Sequence, residues 1–294
     1  MAIARKLASL YYDNAKVAAV VVAGSVGRGL ADRFSDLEMD VYWWRAPTDA
    51  DRVAVIERAQ GKVTYFWAYS EAEAEWGEEY LLDGLWVGIS SFLVASIDRF
   101  IADVVGNADP SPLKQMRLSA LREGVVLHGS EIVGRWRAAS DRYPEALAEA
   151  IVSRHLSVEV LDGWHMRDAL LDRGDYLFLH QLFVRLERAV LGALLGVNRI
   201  YLAHDAFKWQ GQLARMMAIA PKNLERRLAE VFEVPAHQGV AVLQELLLET
   251  VDLIVANLRK LDMTTARNTL ARRRPTLDPP PSRERIAQQT DTSP

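Results

Sequence analysis

The segment that most restricts the fold runs from Asp36 to Trp44, where Leu37, Met39, Val41 and Trp43 alternate with Asp36, Glu38 and Asp40. Successive strand side chains point to opposite faces, so the alternation predicts a strand with one apolar face and one acidic face. Just upstream, Val17 to Ala23 is an apolar run rich in β-branched residues that stops at Gly24, as a buried strand does. Gly24-Ser25, Gly27 and Gly29 lie between the two and predict an open, glycine-containing turn.

The rest of the first hundred residues mixes strands and helices. Thr48 with Asp51 reads as a capping box for a helix to about Ala59. Lys62 to Tyr69 and Leu85 to Val94 read as strands, Glu79 to Leu82 as a weaker one before an Asp83-Gly84 turn. Ser96 is expected to cap a helix through Val105, and His128 to end another. From Leu113 to Leu261 the period is helical, punctuated by Pro144, Pro221 and Pro235, with Tyr176 to Val197 apolar nearly all round. The expected fold is therefore α+β (mixed α/β). A small sheet domain over 1–108 is followed by an all-α helical bundle over 109–262 and a disordered tail over 263–294, which is rich in Pro, Arg, Ser, Thr and Gln.

Composition narrows the function classes. The chain has 294 residues, half of them apolar, and a formal net charge of −4, which gives no sign of a general nucleic-acid or membrane-surface binder. It has no cysteine, so disulfides, zinc–thiolate sites and thiol nucleophiles are excluded. Val17 to Ala23 is too short for a secretion-signal core, and Leu191 to Val197 too short to span a bilayer, so a cytoplasmic protein is expected.

The chemistry concentrates in Ala23 to Tyr42. Gly24 lets backbone approach a ligand, and Ser25 offers a hydroxyl and an N–H to phosphate oxygens. Arg28 or Arg33 could meet a triphosphate bidentately. Asp36 and Glu38, two apart on one strand face, have the spacing that a pair of hard divalent cations bridging a nucleotide triphosphate needs. Left without a cation or a hydrogen-bond network they repel, and Asp40 on the same face sharpens the point. An isolated D-x-E is ordinarily a solvated polar face; here strand, turn and acidic alternation agree.

The G-S-x-x-x-G … S-D-x-[DE] pattern resembles the polymerase-β-like nucleotidyltransferase superfamily, and in particular bacterial nucleotidyltransferase-domain proteins with a C-terminal helical region. The resemblance rests on Gly24-Ser25 and Ser35-Asp36-Leu37-Glu38, and extends through Leu127-His128-Gly129, Tyr143-Pro144, Asn198-Arg199-x-Tyr201 and Phe207-Lys208-Trp209 to about Pro275. It implies that Asp36 and Glu38 hold Mg²⁺, two ions being expected, that Ser25 holds the terminal phosphates, and that an acceptor hydroxyl attacks the α-phosphate of an NTP. ATP is the expected donor and AMP the group transferred. Related two-domain proteins adenylylate antibiotics, so the resemblance favours a small-molecule acceptor over a protein side chain or an RNA end. The pattern is broken in one place. The third carboxylate such enzymes usually carry is expected on the Leu85 to Val94 strand, where Gly88 stands and no acid occurs. Asp40 is the nearest substitute, roughly 7 Å beyond Glu38 at strand rise; Glu79 and Asp83 are others. A catalytically weakened NTP-binding or regulatory module, toxin–antitoxin-like, is the alternative.

Among secondary features, Lys208 beside Trp209 reads either as a triphosphate grip or as a snorkelling lysine on an amphipathic helix. Asn198, Arg199 and Tyr201 read as capping and packing after a stop at Gly196. Arg173 and His180 have a spacing similar to that of HEPN-type helical ribonucleases, a short pattern that ordinarily means a surface arginine and a helical histidine. Trp43, Trp44, Trp67, Trp76 and Trp86 read as core and sheet-face packing, with an aromatic ligand wall as the minority reading.

Overall fold

The computed structural model describes residues 1–278 and divides them into two compact units, 1–154 with 192–213, and 155–191 with the residues from 214 onward. The fold is α+β, with a mixed six-stranded sheet and a helical C-terminal region. Among the described residues no helix is long and apolar enough to cross a membrane.

The first unit contains α1 (Ala2–Tyr12), β1 (Val17–Val22), the single turn α2 (Gly24–Gly27), β2 (Leu37–Trp43) and α3 (Asp49–Ala59). There follow β3 (Lys62–Ser70), β4 (Glu75–Leu82), β5 (Leu85–Leu93), α4 (Val94–Ile101), α5 (Pro112–Glu123), β6 (Val125–His128), α6 (Ser130–Asp141) and α7 (Glu145–His155). The sheet order is β3-β4-β5-β2-β1-β6. Only β2 and β5 pair in parallel, Glu38 opposite Gly88 and Asp40 opposite Ser90. The hairpins β3–β4 and β4–β5 extend the sheet to one side and β1 and β6 to the other.

The alternation of β2 decides where everything else packs. Leu37, Met39, Val41 and Trp43 are buried with Val20, Val22, Val87 and Ile89 against Leu7 and Tyr11 of α1 and Val55 and Ile56 of α3. On the other face Tyr42, Phe92 and Val21 are covered by Ile97 and Phe100 of α4, Leu118 and Leu121 of α5 and Val133 and Trp136 of α6. The Tyr42 end of β2 thus lies under this second core cluster, while Asp36 and Glu38 at its other end remain exposed.

Several local expectations hold. Thr48 and Asp51 form the reciprocal capping box of α3, and Asp83 and Gly84 form the β4–β5 turn with φ of 52° and 80°. Others are corrected. Ser96 caps nothing. It is buried inside α4, which begins at Val94 without a side-chain cap and runs into a π-turn over Ala102–Gly106. His128 ends strand β6, not a helix, and stacks on Tyr12 with centroids 5.0 Å apart. Helices α5 to α7 up to Arg154, which their period groups with the bundle, lie in the first unit with the sheet.

The second unit holds α8 (Val158–Leu161), α9 (Arg167–Arg173) and most of α10 (Tyr176–Asn198). Beyond α11 (Gln210–Met216) come α12 (Leu224–Glu233), α13 (Ala236–Asn257) and α14 (Thr264–Ala271). Its buried side chains include Trp164 and Phe183, whose ring centroids lie 6.4 Å apart, together with Leu228, Leu243, Leu247 and Val251. Gly239 lets α12 and α13 approach, because a side chain there would meet the Val231 carbonyl. Helix α10 passes Gly196 and stops at Asn198, with Arg199 left-handed at φ 56°. Its exposed first turn, including Leu177, departs from the expectation of burial all round. The segment from Thr264, expected to be disordered, opens with α14, whose Leu270 is fully buried. Buried Arg167 explains this: its guanidinium donates to the carbonyls of Trp164, Leu270 and Arg272, tying the end of α14 down. The Pro279-Pro280-Pro281 stretch lies outside the described residues.

One buried ion pair ties α3 to the β3–β4 hairpin. Arg52, with no exposed surface, donates to Glu78 at 2.7 Å and to the carbonyls of Trp67 and Gly77, with its guanidinium 3.9 Å from the Phe66 ring centroid. Tyr11 donates to the other oxygen of Glu78. Burial pushes the Glu78 carboxyl up, and Arg52 opposes that shift. Arg52→Met should therefore cost about 3–5 kcal/mol in urea unfolding, the usual penalty for leaving a buried charge unpaired, and adding Glu78→Leu should recover much of it. Unchanged stability of the single variant would show that the pair contributes nothing.

Candidate functional site

The open end of the β2 face is the floor of a cavity of about 1090 Å³, lined wholly by residues of the first unit. Its first wall is the turn after β1. Gly24 has φ +59°, and a Cβ there would overlap the Glu38 carboxylate, which lies against the Gly24 α-carbon. Only glycine satisfies both conditions. The turn is closed by Gly27 N–H to the Ala23 carbonyl (2.9 Å) and Leu30 N–H to the Ser25 carbonyl (2.9 Å), and Ala23 N–H pairs with the Glu38 carbonyl (2.9 Å). Gly24, Ser25, Asp36 and Glu38 all line this cavity.

Burial raises the Glu38 carboxyl above the usual range. The charges of Asp36 and Asp40 add to this, against Lys208 and Arg28. The carboxylate is open to water yet surrounded by protein and by like charge, the setting in which a cation has most to stabilise. Asp40 is 4 % exposed, and burial raises its carboxyl too; Arg117 and a hydrogen bond from the Tyr42 hydroxyl (3.1 Å) oppose the shift.

Arg117, on α5, pairs with Glu75 of β4 at 2.5 Å and sits 4.7 Å from the Phe92 ring centroid. Even so, the Glu75 carboxyl is pushed up to about 7, chiefly by burial, with Glu73 and Asp40 adding repulsion and Arg117 opposing. The positive side of the cavity comes from elsewhere. Arg28 lines it while ion-paired with Glu123 (Nε to carboxylate 2.5 Å), and Lys208 reaches it from a turn between two left-handed residues, Phe207 (φ 53°) and Trp209 (φ 60°). Buried Phe207 anchors that turn, and His204 holds it through its carbonyl to Phe207 N–H and its Nδ1 to Ala206 N–H, both 3.0 Å. Lys208 is thus on a constrained turn before α11, not on an amphipathic helix. His204 also lines the cavity; burial lowers its pKa, as do Lys208 and Arg28, against Asp205.

Of the eight residues expected at the site, Gly24, Ser25, Arg28, Asp36, Glu38, Asp40 and Lys208 line the cavity and Arg33 does not. Arg33 is exposed, 4.6 Å from the Phe34 ring centroid. Arg117, Glu75 and His204 escaped sequence reasoning; an isolated arginine on a helix or glutamate at a strand start carries no local signal. Trp67 was expected to be packing but is 49 % exposed and lines the cavity, whereas Trp43 is core. Asn198 and Tyr201 bond to the Leu194 and Ser140 carbonyls, as a packing cluster would. His180 packs edge-on to Phe183, and Arg173 closes α9.

Residues 112–210 match a domain of unknown function, DUF4037. The match runs from α5 into the start of α11. It takes in Arg117, His204 and Lys208 but not Gly24, Asp36 or Glu38. No curated protein matches the chain. Among solved structures, the chain is similar to a nucleotidyltransferase-like protein from Exiguobacterium sibiricum 255-15. The two share 13% identity over 89% of this chain and 80% of that one, with a TM-score of 0.38, too low for the likeness to bear on activity.

The donor set bears on which ions could be held. Magnesium keeps several waters and is ordinarily bound through one or two carboxylates together with substrate phosphates. Asp36 and Glu38 are two such carboxylates, and among the described residues no group of three His, Asp or Glu could hold a metal alone. This set suits a cation that arrives with phosphate.

The raised Glu75 carboxyl gives a pH prediction. Its folded value of about 7 lies above the ordinary 4.5, so folding gains from this group below about 4.5 and loses that gain as pH rises through 7. Carboxyl ¹³C NMR should show Glu75 titrating near 7, and Asp40→Asn should lower its midpoint. A Glu75 signal that is flat between pH 6 and 8 would contradict this.

Proposed function

We propose that the protein binds a nucleoside triphosphate with Mg²⁺ in this cavity and transfers its nucleoside monophosphate to a hydroxyl acceptor, releasing pyrophosphate. ATP is the proposed donor and a small molecule the proposed acceptor. The observation that carries the reading is the Glu38 carboxylate lying against the bare α-carbon of Gly24, with Ser25 and Asp36 lining the same corner.

In this reading the residues have distinct tasks. Asp36 and Glu38 would hold Mg²⁺, with two ions accommodated once phosphate oxygens complete their shells. The cation would supply charge neutralisation on the phosphates. Ser25 would donate to a terminal phosphate oxygen, and Arg28 on the same turn and Lys208 on the turn before α11 would offset the remaining negative charge. The acceptor oxygen would form a bond to the α-phosphorus and give up its proton to water, as the bond from that phosphorus to the bridging oxygen breaks and pyrophosphate leaves with the electron pair. The chain's contribution is alignment and charge, which carry most of the work in such transfers.

A second reading has its own support. The strand position opposite Glu38 is Gly88, and nothing lies within 4 Å of where its side chain would be. Asp40 does not readily make good the missing acid, because it is buried and bonded to Tyr42. These facts favour a module that binds Mg–NTP and turns it over slowly or not at all.

Calorimetric titration with a non-hydrolysable ATP analogue and with GTP, with and without Mg²⁺, tests the shared core of both readings. Magnesium-dependent binding that weakens at least about tenfold in Asp36→Asn, and less in Lys208→Ala, is expected. Absence of binding at millimolar nucleotide would end both readings. Pyrophosphate release with candidate acceptors would then separate enzyme from binding module.

A further inference from the structure

The sheet has two open edges, and they are unlike. β6 is four residues long, whereas β3 runs nine residues, Lys62–Ser70, and among the described residues no strand lies on its outer side. An unpaired edge presents a row of free N–H and C=O groups, and proteins normally blunt it with shortness, a proline or a charge within the strand. β3 uses none of these. It contains no proline, and its one charged residue, Lys62, stands at the very start. Lys62, Val63, Tyr65, Trp67 and Ala68 are exposed. The irregularities of β3 with β4 fall at Val63/Tyr65 and Trp67/Ser70. Between them Tyr65, Phe66 and Trp67 keep regular register, opposite Glu79, Glu78 and Gly77.

This edge is complementary to itself. A two-fold axis through Phe66, normal to the sheet, sets β3 antiparallel to a second β3. Tyr65 then stands opposite the second copy's Trp67, and Trp67 opposite its Tyr65. Within one chain these two rings already stack at 5.3 Å and 13°, and they are 58 % and 49 % exposed. Two such pairs would meet as a ladder of four rings, the kind of cross-strand contact that stabilises a sheet. The same axis brings Lys62 beside the second copy's Ser70 and toward its Glu71. Lys62 and Glu71 are both exposed, and among the described residues neither has an ion-pair partner within the chain. An unrelated extended peptide would gain the backbone bonds alone; a second copy adds the ladder and opposite charges at both ends.

We propose that the protein pairs with a second copy of itself through β3, antiparallel about Phe66, so that the two six-stranded sheets join edge to edge. Nine residues of strand span about 30 Å. A contact of one strand on each side lies at the small end of specific interfaces, so the dimer is reversible, with a dissociation constant on the order of micromolar. This pairing is independent of what the cavity binds.

Sedimentation velocity of the intact chain at low ionic strength, from about 1 to about 100 μM, tests this. A monomer–dimer equilibrium is expected. Tyr65→Lys sets a cation in the ring ladder and should weaken the dimer at least about tenfold. Lys62→Glu and Glu71→Lys each oppose like charges at both ends of the contact and should weaken it at least about fivefold. The double variant Lys62→Glu/Glu71→Lys should return to within about twofold of the parent. Positions 62 and 71 stand at opposite ends of β3 in one chain, so that recovery reports a contact between copies. The charge variants alter exposed side chains, and they decide the matter if Tyr65→Lys proves unstable. A monomer at every concentration, a dimer unmoved by a folded Tyr65→Lys, or a double variant no tighter than the single ones would each overturn the proposal.

Discussion

A strand offers its side chains only two directions, and in β2 both are fully used. Leu37, Met39, Val41 and Trp43 are held in the core between the sheet, α1 and α3, so Asp36, Glu38 and Asp40 are forced onto the other face whatever the cost of crowding them. That face is covered at the Tyr42 end and open at the Asp36 end. The cavity, its charge and the close approach of Glu38 to Gly24 all follow from this parity. A one-residue slip of β2 would bury the acids and expose the core.

The electrostatics extend the same logic. Burial raises Glu38, Asp40 and Glu75 together, repulsion adds to it at Glu38 and Glu75, and the cavity is lined by more carboxylates than its arginines and lysine balance. The cations present are distributed unevenly. Arg117 is committed to Glu75, and Arg28 is paired with Glu123, whereas Lys208 acts on Glu38 from the turn before α11.

Much of this was legible in the sequence wherever the signal was local. The alternation from Asp36 to Trp43, the Gly24-Ser25 turn and the Thr48/Asp51 box each specify geometry within a few residues, and each formed where expected. What could not be read depends on partners far along the chain. Nothing near Glu79 says that it stands two strands from Glu38 across a glycine, because that follows from the β4–β5–β2 register. His128 was misjudged because a short edge strand following a helix has no pattern of its own, and α14 because the carbonyl ties that hold it come from Arg167. Arg33 drew attention through its charge alone, and the fold turned it outward.

The way the chain leaves the first unit after Arg154 and re-enters it at Gly192 has a consequence for how the molecule comes into being. The acidic floor and the glycine turn are synthesised within the first hundred residues, but the wall bearing His204 and Lys208 follows only after residues 155–191 have been made. The lining of the cavity is therefore complete later in synthesis than the strands that make its floor.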